Sequence, residues 1–247
     1  MQGWFSHTLN FLPNSNIHPI WLGTHIAPAI YKYIQEVLAI NPQYFRESVG
    51  CRDLSTFHFL DQLGIDSYFS RCLTLTLPKR TEGDKHDKVY FVDIPANIIN
   101  LFPKQLKERG IIRNQKWIHV GNENWMTTYN HANKLLEDMH QAQLVITSAL
   151  HCAAPCIAMG IPVILISLNP TENINRFTAL NGIINIKTIN DLANNNINYD
   201  AVPINIESLK KAMLINLSLT VRRSVGFTVS DREIKEVREY IANFKVS

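Results

Sequence analysis

Cysteine is scarce in this chain of 247 residues: Cys51, Cys72, Cys152 and Cys156 are too few and too unevenly spaced to frame a secreted disulfide protein. A reducing cytoplasm is therefore the expected location. An excess of one charge is also lacking. Lys plus Arg at 24 against Asp plus Glu at 21 leaves a net +3, which supplies no footprint for nucleic acid or a membrane surface, so any basic site must be local. The opening MQGWFSHTLNFLPNS has neither the basic start nor the unbroken apolar run of a signal peptide. No phosphate-binding G-x-x-x-x-G-K-[ST] loop, G-x-G-x-x-G fingerprint or zinc-binding H-E-x-x-H is present. Cys152 and Cys156 lie one helical turn apart, yet no C-x-x-C or second histidine completes a ligand set. They read as buried small hydrophobes, and no metal is expected.

What is present suits a folded α/β protein. Hydrophobic residues make up 46% and charged residues 18%, and the length allows one large or two small domains. Strand-like and helical patterns alternate from end to end, as in a mostly parallel sheet. The reading is strand 18–23, helix 27–40, strand 48–51, helix 54–64 and strand 69–77. After these come strand 89–93, helix 98–110, strand 116–120, helix 127–142, strand 143–147, helix 149–159 and strand 162–167. Ser230 and Glu233 mark the start of a last helix by capping-box spacing. The polar segment 78–88 divides a first half, 1–80, from a second, 81–220, with a C-terminal helix in 221–247. Residues 144–168 are uncharged and long enough to cross a bilayer. Ser148, His151, Pro155, Gly160 and Pro162 interrupt them, so they read as strand, helix and strand, with no membrane span.

Two junctions carry chemistry. In E-S-V-G-C-R-D-L-S-T, Arg52 and Asp53 stand where a strand ends, and Ser55 where a helix starts. Ligands of open parallel sheets bind at such places, and a helix N-terminus favours an anion. Arg52 is suited to a forked grip on a carboxylate or phosphate, although a local ion pair with Asp53 beside a capped helix explains the same residues. In T-S-A-L-H-C, Thr147 and Ser148 end a strand and His151 lies in the first helical turn, where an imidazole can move protons near neutral pH or simply fill a core position.

These residues also carry a resemblance. G-W-F, F-L-P-N-S and I-H-P-I-W near the start are followed by E-S-V-G-C-R-D-L-S-T-F-H-F-L-D-Q-L-G-I and Y-F-S-R-C-L-T-L-T-L. V-Y-F-V-D-I-P and L-V-I-T-S-A-L-H-C-A-A-P-C-I-A-M-G-I-P-V-I complete the set. The chain resembles the polysaccharide pyruvyl transferase family, most specifically in the paired R-D-x-x-S and T-S-x-L-H blocks. The resemblance implies a GT-B-like arrangement of two Rossmann-like halves with an abbreviated first half as the acceptor side and the second as the donor side. It implies transfer of the enolpyruvyl unit of phosphoenolpyruvate to a sugar of a surface glycan as a pyruvate ketal, with no cofactor. The partners implied are phosphoenolpyruvate and a sugar acceptor; peripheral membrane association and a homodimer stay open. Arg52 and His151 match the family's anion-binding arginine and acid–base histidine. Asp53, Ser55, Thr147, Ser148, Asn169 and Arg176 form the implied substrate-binding set. Ala149 stands where many relatives have arginine, a charge that Arg176 is placed to replace. The alternatives are a nucleotide-sugar glycosyltransferase of GT-B type and a non-catalytic sugar-binding relative.

Overall fold

Short apolar strands alternate with helices to build two sheets in a computed structural model that describes residues 3–5, 14, 16–81, 87–115, 124–169 and 175–246. The first sheet runs in the order β1 (Gly3–Phe5), β2 (Thr24–Ile26), β3 (Val49–Cys51), β4 (Ser67–Phe69). The second contains β5 (Lys88–Val92), β6 (Gly110–Arg113), β7 (Ala142–Thr147), β8 (Val163–Ser167) and β9 (Lys187–Thr188), ordered β6-β5-β7-β8-β9. Every described ladder is parallel. The strand ends that lead into helices therefore gather on one edge of each sheet, which is where a ligand can reach them.

Burial follows the pattern of sheets covered on both faces. Val89 and Phe91 of β5, Leu144 and Ile146 of β7, and Ile164 and Ile166 of β8 pack on one side. Their neighbours Tyr90, Val92, Val145, Val163 and Leu165 pack on the other. The period of two places successive side chains on opposite faces, and both faces are dry. In the first sheet Ile26, Val49 and Cys51 join Trp21, Ile34 and Leu60 in a separate cluster. Residues 144–168 form β7, the helix α6 (Leu150–Ala158) and β8, as the interrupting residues imply, and no described helix is long and apolar enough to cross a membrane.

Several boundaries differ from the sequence expectation, each for a local reason. The extended run 18–23 becomes a ladder strand only at Thr24, after Gly23 with φ +66, although the Trp21 carbonyl already accepts from Gly50 N at 3.0 Å. The strand expected over 69–77 stops at Phe69. Arg71 takes a left-handed φ of +61, and Leu73–Thr76 coil as a 3-10 turn whose Cys72 and Leu75 join the core of the second sheet. The helix expected over 98–110 is two short ones, α3 (Ala96–Ile99) and α4 (Lys104–Arg109), because Pro103 cannot continue a helix through it. Gly110 then opens β6, where a Cβ would collide with the Phe91 ring. The strand expected over 116–120 lies outside the described residues. The helix α1 (Tyr31–Ile40) follows a 3-10 turn begun by Pro28, and α5 (Trp125–His140) precedes β7.

The chain closes on itself through its last two long helices, α8 (Glu207–Ser224) and α9 (Asp231–Asn243), separated from β9 by the short α7 (Ile189–Ala193). Ser230 caps α9 by accepting from Glu233 N. The helix α9 packs on α8 and on β4 of the first sheet. Arg71, 1% exposed, fastens this return. Its Nε donates to the Ile241 carbonyl at 2.7 Å, Nη1 to those of Ala179 and Asn181, and Nη2 to those of Ala242 and Phe244. Carbonyls at a helix C-terminus have no partners within the helix and carry partial negative charge, so a guanidinium is stable there without a carboxylate. Burial lowers its pKa to about 10, which leaves it protonated at neutral pH.

Candidate functional site

The first junction is built by the helix α2 (Leu54–Gln62) as it leaves β3. Asp53 caps the helix. Its Oδ1 accepts from Thr56 N, Thr56 Oγ1 and Ser55 Oγ at 3.0, 3.0 and 2.7 Å. Gly64, with φ +70, ends the same helix. Oδ2 faces His25 Nδ1 at 2.6 Å and Arg52 Nε at 3.5 Å. Burial by itself would raise the Asp53 pKa. Hydrogen bonds from His25, Ser55 and Thr56, with the charge at His25, outweigh it and hold the carboxylate below its usual range. The local ion pair and cap considered from sequence are thus both present. Asp53 is fully buried and Ser55 gives its hydroxyl proton to Asp53, so both are occupied within the protein.

Arg52 is 2% exposed, and burial draws its pKa down while Asp53 opposes the shift. Among the described residues its Nε has no hydrogen-bond partner despite the neighbouring carboxylate. The Nη1 group reaches across to His151 Nε2 at 3.4 Å, spanning 99 residues of sequence. Gly50, one residue before Cys51, allows the close packing beneath: a Cβ there would stand 2.9 Å from Leu22 Cδ1 and 3.0 Å from Tyr68 Oη.

The second junction holds His151 at the start of α6. Thr147 is fully buried and its Oγ1 accepts from Ala149 N at 3.0 Å, while Ser148 Oγ donates to the Asp93 carbonyl at 2.6 Å. These two hydroxyls shape the turn that presents His151. Pro155 lies inside α6. Lacking an N–H, it leaves the carbonyl four residues earlier, that of His151, without its helical donor. Gln115 Nε2 takes that place at 3.3 Å, and Gln115 N in turn donates to Asp93 Oδ1.

A guanidinium only donates, so the lone pair of His151 is on Nε2 and its proton on Nδ1. Burial, then the cations Arg52 and Arg176, then His25, lower the His151 pKa to about 4. The side chain is accessible to solvent even so, with protein crowding the remaining directions. This corrects the expectation from sequence that His151 exchanges protons near neutral pH without a large shift. In the unliganded protein it is a neutral base.

Arg176 is half-buried, and burial and the proximity of Arg52 lower its pKa, with Asp53 opposing. Two residues on, Thr178 Oγ1 accepts from Leu54 N at 2.9 Å and donates to the Asn175 carbonyl. The turn carrying Arg176 is thereby tied to the first turn of α2, next to Arg52. Asn169 is half-buried just beyond β8. The structure thus brings Arg52 and His151 into contact, sets Arg176 within electrostatic reach of both, and engages Asp53, Ser55, Thr147 and Ser148 in shaping the junctions. His25 was invisible to sequence reasoning, because nothing in T-H-I marks it and its carboxylate lies 28 residues away.

A cavity of about 590 Å³ lies elsewhere, between α2, β4 and the C-terminal helices, lined by Leu54, Phe57, Tyr68 and Arg238 among others. Its cations are already engaged. Arg223 pairs with Asp231, and Arg238 stacks 3.7 Å from the Tyr68 ring centroid and donates to Asn216. The chemistry therefore points to the Arg52–His151 junction. Cys152 and Cys156 are buried free thiols, and among the described residues no group of three or more His, Cys, Asp or Glu is placed to hold a metal ion.

A family model described as polysaccharide pyruvyl transferase matches residues 3–170. This span contains both junctions and ends six residues before Arg176. No curated protein and no solved structure gives a significant match.

Proposed function

The chain belongs to the polysaccharide pyruvyl transferase family and is a transferase, and we propose that its donor is phosphoenolpyruvate and its acceptor a sugar of a surface glycan, joined at the Arg52–His151 junction. The observation that carries this reading is Arg52, a guanidinium almost wholly buried, with one long hydrogen bond and an Nε that has none. A buried cation with unused donors is complementary to an anion. Arg176 adds a second positive charge within electrostatic reach of Arg52 and His151.

The reaction balances with the groups at hand. Two sugar hydroxyls add to C2 of the enolpyruvyl unit, C3 gains a proton to become a methyl group, and the C2–O bond to phosphate breaks with its electron pair leaving on phosphate. Of the two protons lost by the hydroxyls, one goes to C3 and the other to phosphate. When the donor's anion draws Arg52 Nη1 away, the Nε2 lone pair of neutral His151 is freed to take the first hydroxyl proton and pass it to C3. Arg52 and Arg176 hold the donor's carboxylate and phosphate and stabilise the charge that accumulates on the departing phosphate. Donor charge near the ring also raises the basicity of His151 once the complex forms. The setting is cytoplasmic, in a GT-B-like pairing of the two halves.

Incubation with phosphoenolpyruvate and nucleotide- or lipid-linked sugars, followed by mass detection, should reveal the ketal adduct and released phosphate. Absence of adduct with every acceptor, under conditions in which phosphoenolpyruvate binds, overturns the donor assignment. Arg52→Ala is expected to weaken phosphoenolpyruvate binding by roughly 2–4 kcal/mol, as charge-assisted hydrogen bonds are lost. Titration calorimetry measures it.

A further inference from the structure

We infer that His25 is a positioning residue for the anion clamp: by occupying Asp53 Oδ2, it keeps the Arg52 guanidinium from closing on its own neighbour. This deepens the reading above, since it assumes that Arg52 holds the donor's anion. Adjacent in sequence and both buried, Arg52 and Asp53 have every electrostatic reason to form a two-pronged ion pair, with the arginine fork wholly taken up by the carboxylate. The structure shows something else. Three donors from α2 occupy Oδ1, and His25 Nδ1 holds Oδ2 at 2.6 Å, leaving Arg52 Nε at 3.5 Å without a hydrogen bond. All four hydrogen bonds to the carboxylate come from groups other than Arg52, whose ion pair with it is the longer 3.5 Å approach of Nε, and the guanidinium extends past it toward His151.

The elements explain why His25 is the residue that does this. Thr24 pairs with Cys51 in the β2–β3 ladder, so His25, the next residue of β2, stands beside the residues that follow β3. Thr56 Oγ1 also accepts from Ile26 N at 3.0 Å, locking the backbone on one side of His25 to the first turn of α2. The imidazole is 4% exposed and has little freedom to swing away. The His25–Asp53 contact is thus rigid, and its consequence for Arg52 is geometric: the carboxylate stays near enough to balance the buried charge but cannot satisfy its donors.

The test uses the full chain, with inorganic phosphate and phosphoenolpyruvate titrated separately by calorimetry and steady-state kinetics run alongside. His25→Leu removes the donor to Oδ2 and should weaken both anions by about 10- to 100-fold, the value of a charge-assisted contact. The KM for phosphoenolpyruvate should rise to match, kcat should fall no further than it does in Arg52→Ala, and the KM for the acceptor should change by less than about threefold. His25→Asn, whose amide nitrogen falls near the place of Nδ1, should restore wild-type binding. A purely structural role would move thermal stability without this split or this rescue. Wild-type anion affinity in a folded His25→Leu overturns the inference, as does a loss of kcat at unchanged KM, which would make His25 a proton carrier instead. If His25→Leu does not fold, His25→Asn against His25→Gln repeats the contrast, since the longer side chain displaces the donor; equal anion affinity in the two overturns the inference. Wild-type protein that binds phosphate but forms no ketal overturns the substrate reading and leaves the role of His25 standing.

Discussion

His151→Ala should lower turnover by about 10²- to 10⁴-fold, the usual contribution of a general acid–base group, with the fold intact because the side chain reaches solvent. His151→Gln keeps much of the reach and the polarity but cannot carry a proton, and should be nearly as slow. Near-normal turnover in the Gln variant would make His151 a binding residue. The pH profile gives an independent check. The value of kcat/KM reports groups in the free enzyme, and with the His151 pKa at about 4 the base stays competent through pH 5–6, where an ordinary histidine, at about 6.5, is largely protonated. The acid limb of kcat/KM should therefore lie below pH 5. The limb of kcat reports the complex and should lie higher, because a bound anion favours the imidazolium. For stability the sign follows from a folded pKa below the unfolded one. The contribution is present above pH 6.5, where both states are neutral, and fades as pH falls through 6.5 toward 4, where the unfolded chain binds the extra proton.

Arg71→Ala is expected to destabilise the protein by about 3–5 kcal/mol, since it strands five buried or half-buried carbonyls and opens a cavity where a large side chain was. Urea unfolding followed by far-ultraviolet circular dichroism measures this. Arg71→Lys keeps the charge, yet one ammonium with three donors cannot reach carbonyls at Ala179, Asn181, Ile241, Ala242 and Phe244, so it should recover less than half of the loss. Arg71→Gly separates a second effect. The left-handed φ of +61 costs a residue with a Cβ on the order of 1 kcal/mol, so Gly should be milder than Ala by about that amount. Wild-type stability in Arg71→Lys would show that the forked geometry is irrelevant and the charge alone suffices.

The two junctions were legible in sequence because each is written locally. Apolar runs such as 144–147 and 163–167 mark buried parallel strands, and Asp53 followed by Thr56 marks a cap, with partners three residues apart. What failed was non-local. The alternating C-L-T-L-T-L reads as a strand, but Arg71 turns the chain into a 3-10 coil, and the carbonyls that stabilise that turn lie 108 to 173 residues away. Within 98–110 the break is local, at Pro103. The depressed basicity of His151 could not be read either. Its largest cause is burial, and the charges that add to it come from Arg52, Arg176 and His25, none within twenty residues of it in sequence. Family resemblance located Arg52 and His151 without revealing that Asp53 is a brace held by His25.

The bond from Leu54 N to Thr178 Oγ1 has a thermodynamic consequence. It ties the turn of Arg176 to the helix beside Arg52, holding two positive charges where Arg52 adds to burial in making Arg176 harder to keep protonated. The empty protein thus stores repulsion that its fold must hold in check. In the proposed complex an anion between the guanidiniums would cancel that repulsion and would bind the folded chain alone, since the unfolded chain separates the two arginines by more than a hundred residues. Ligand and fold are then linked by mass action: stability should rise by RT ln(1 + [L]/Kd), or about 2.7 kcal/mol at a hundred times Kd. With the proposed donor, phosphoenolpyruvate should therefore raise the midpoint of thermal unfolding as its concentration rises above Kd.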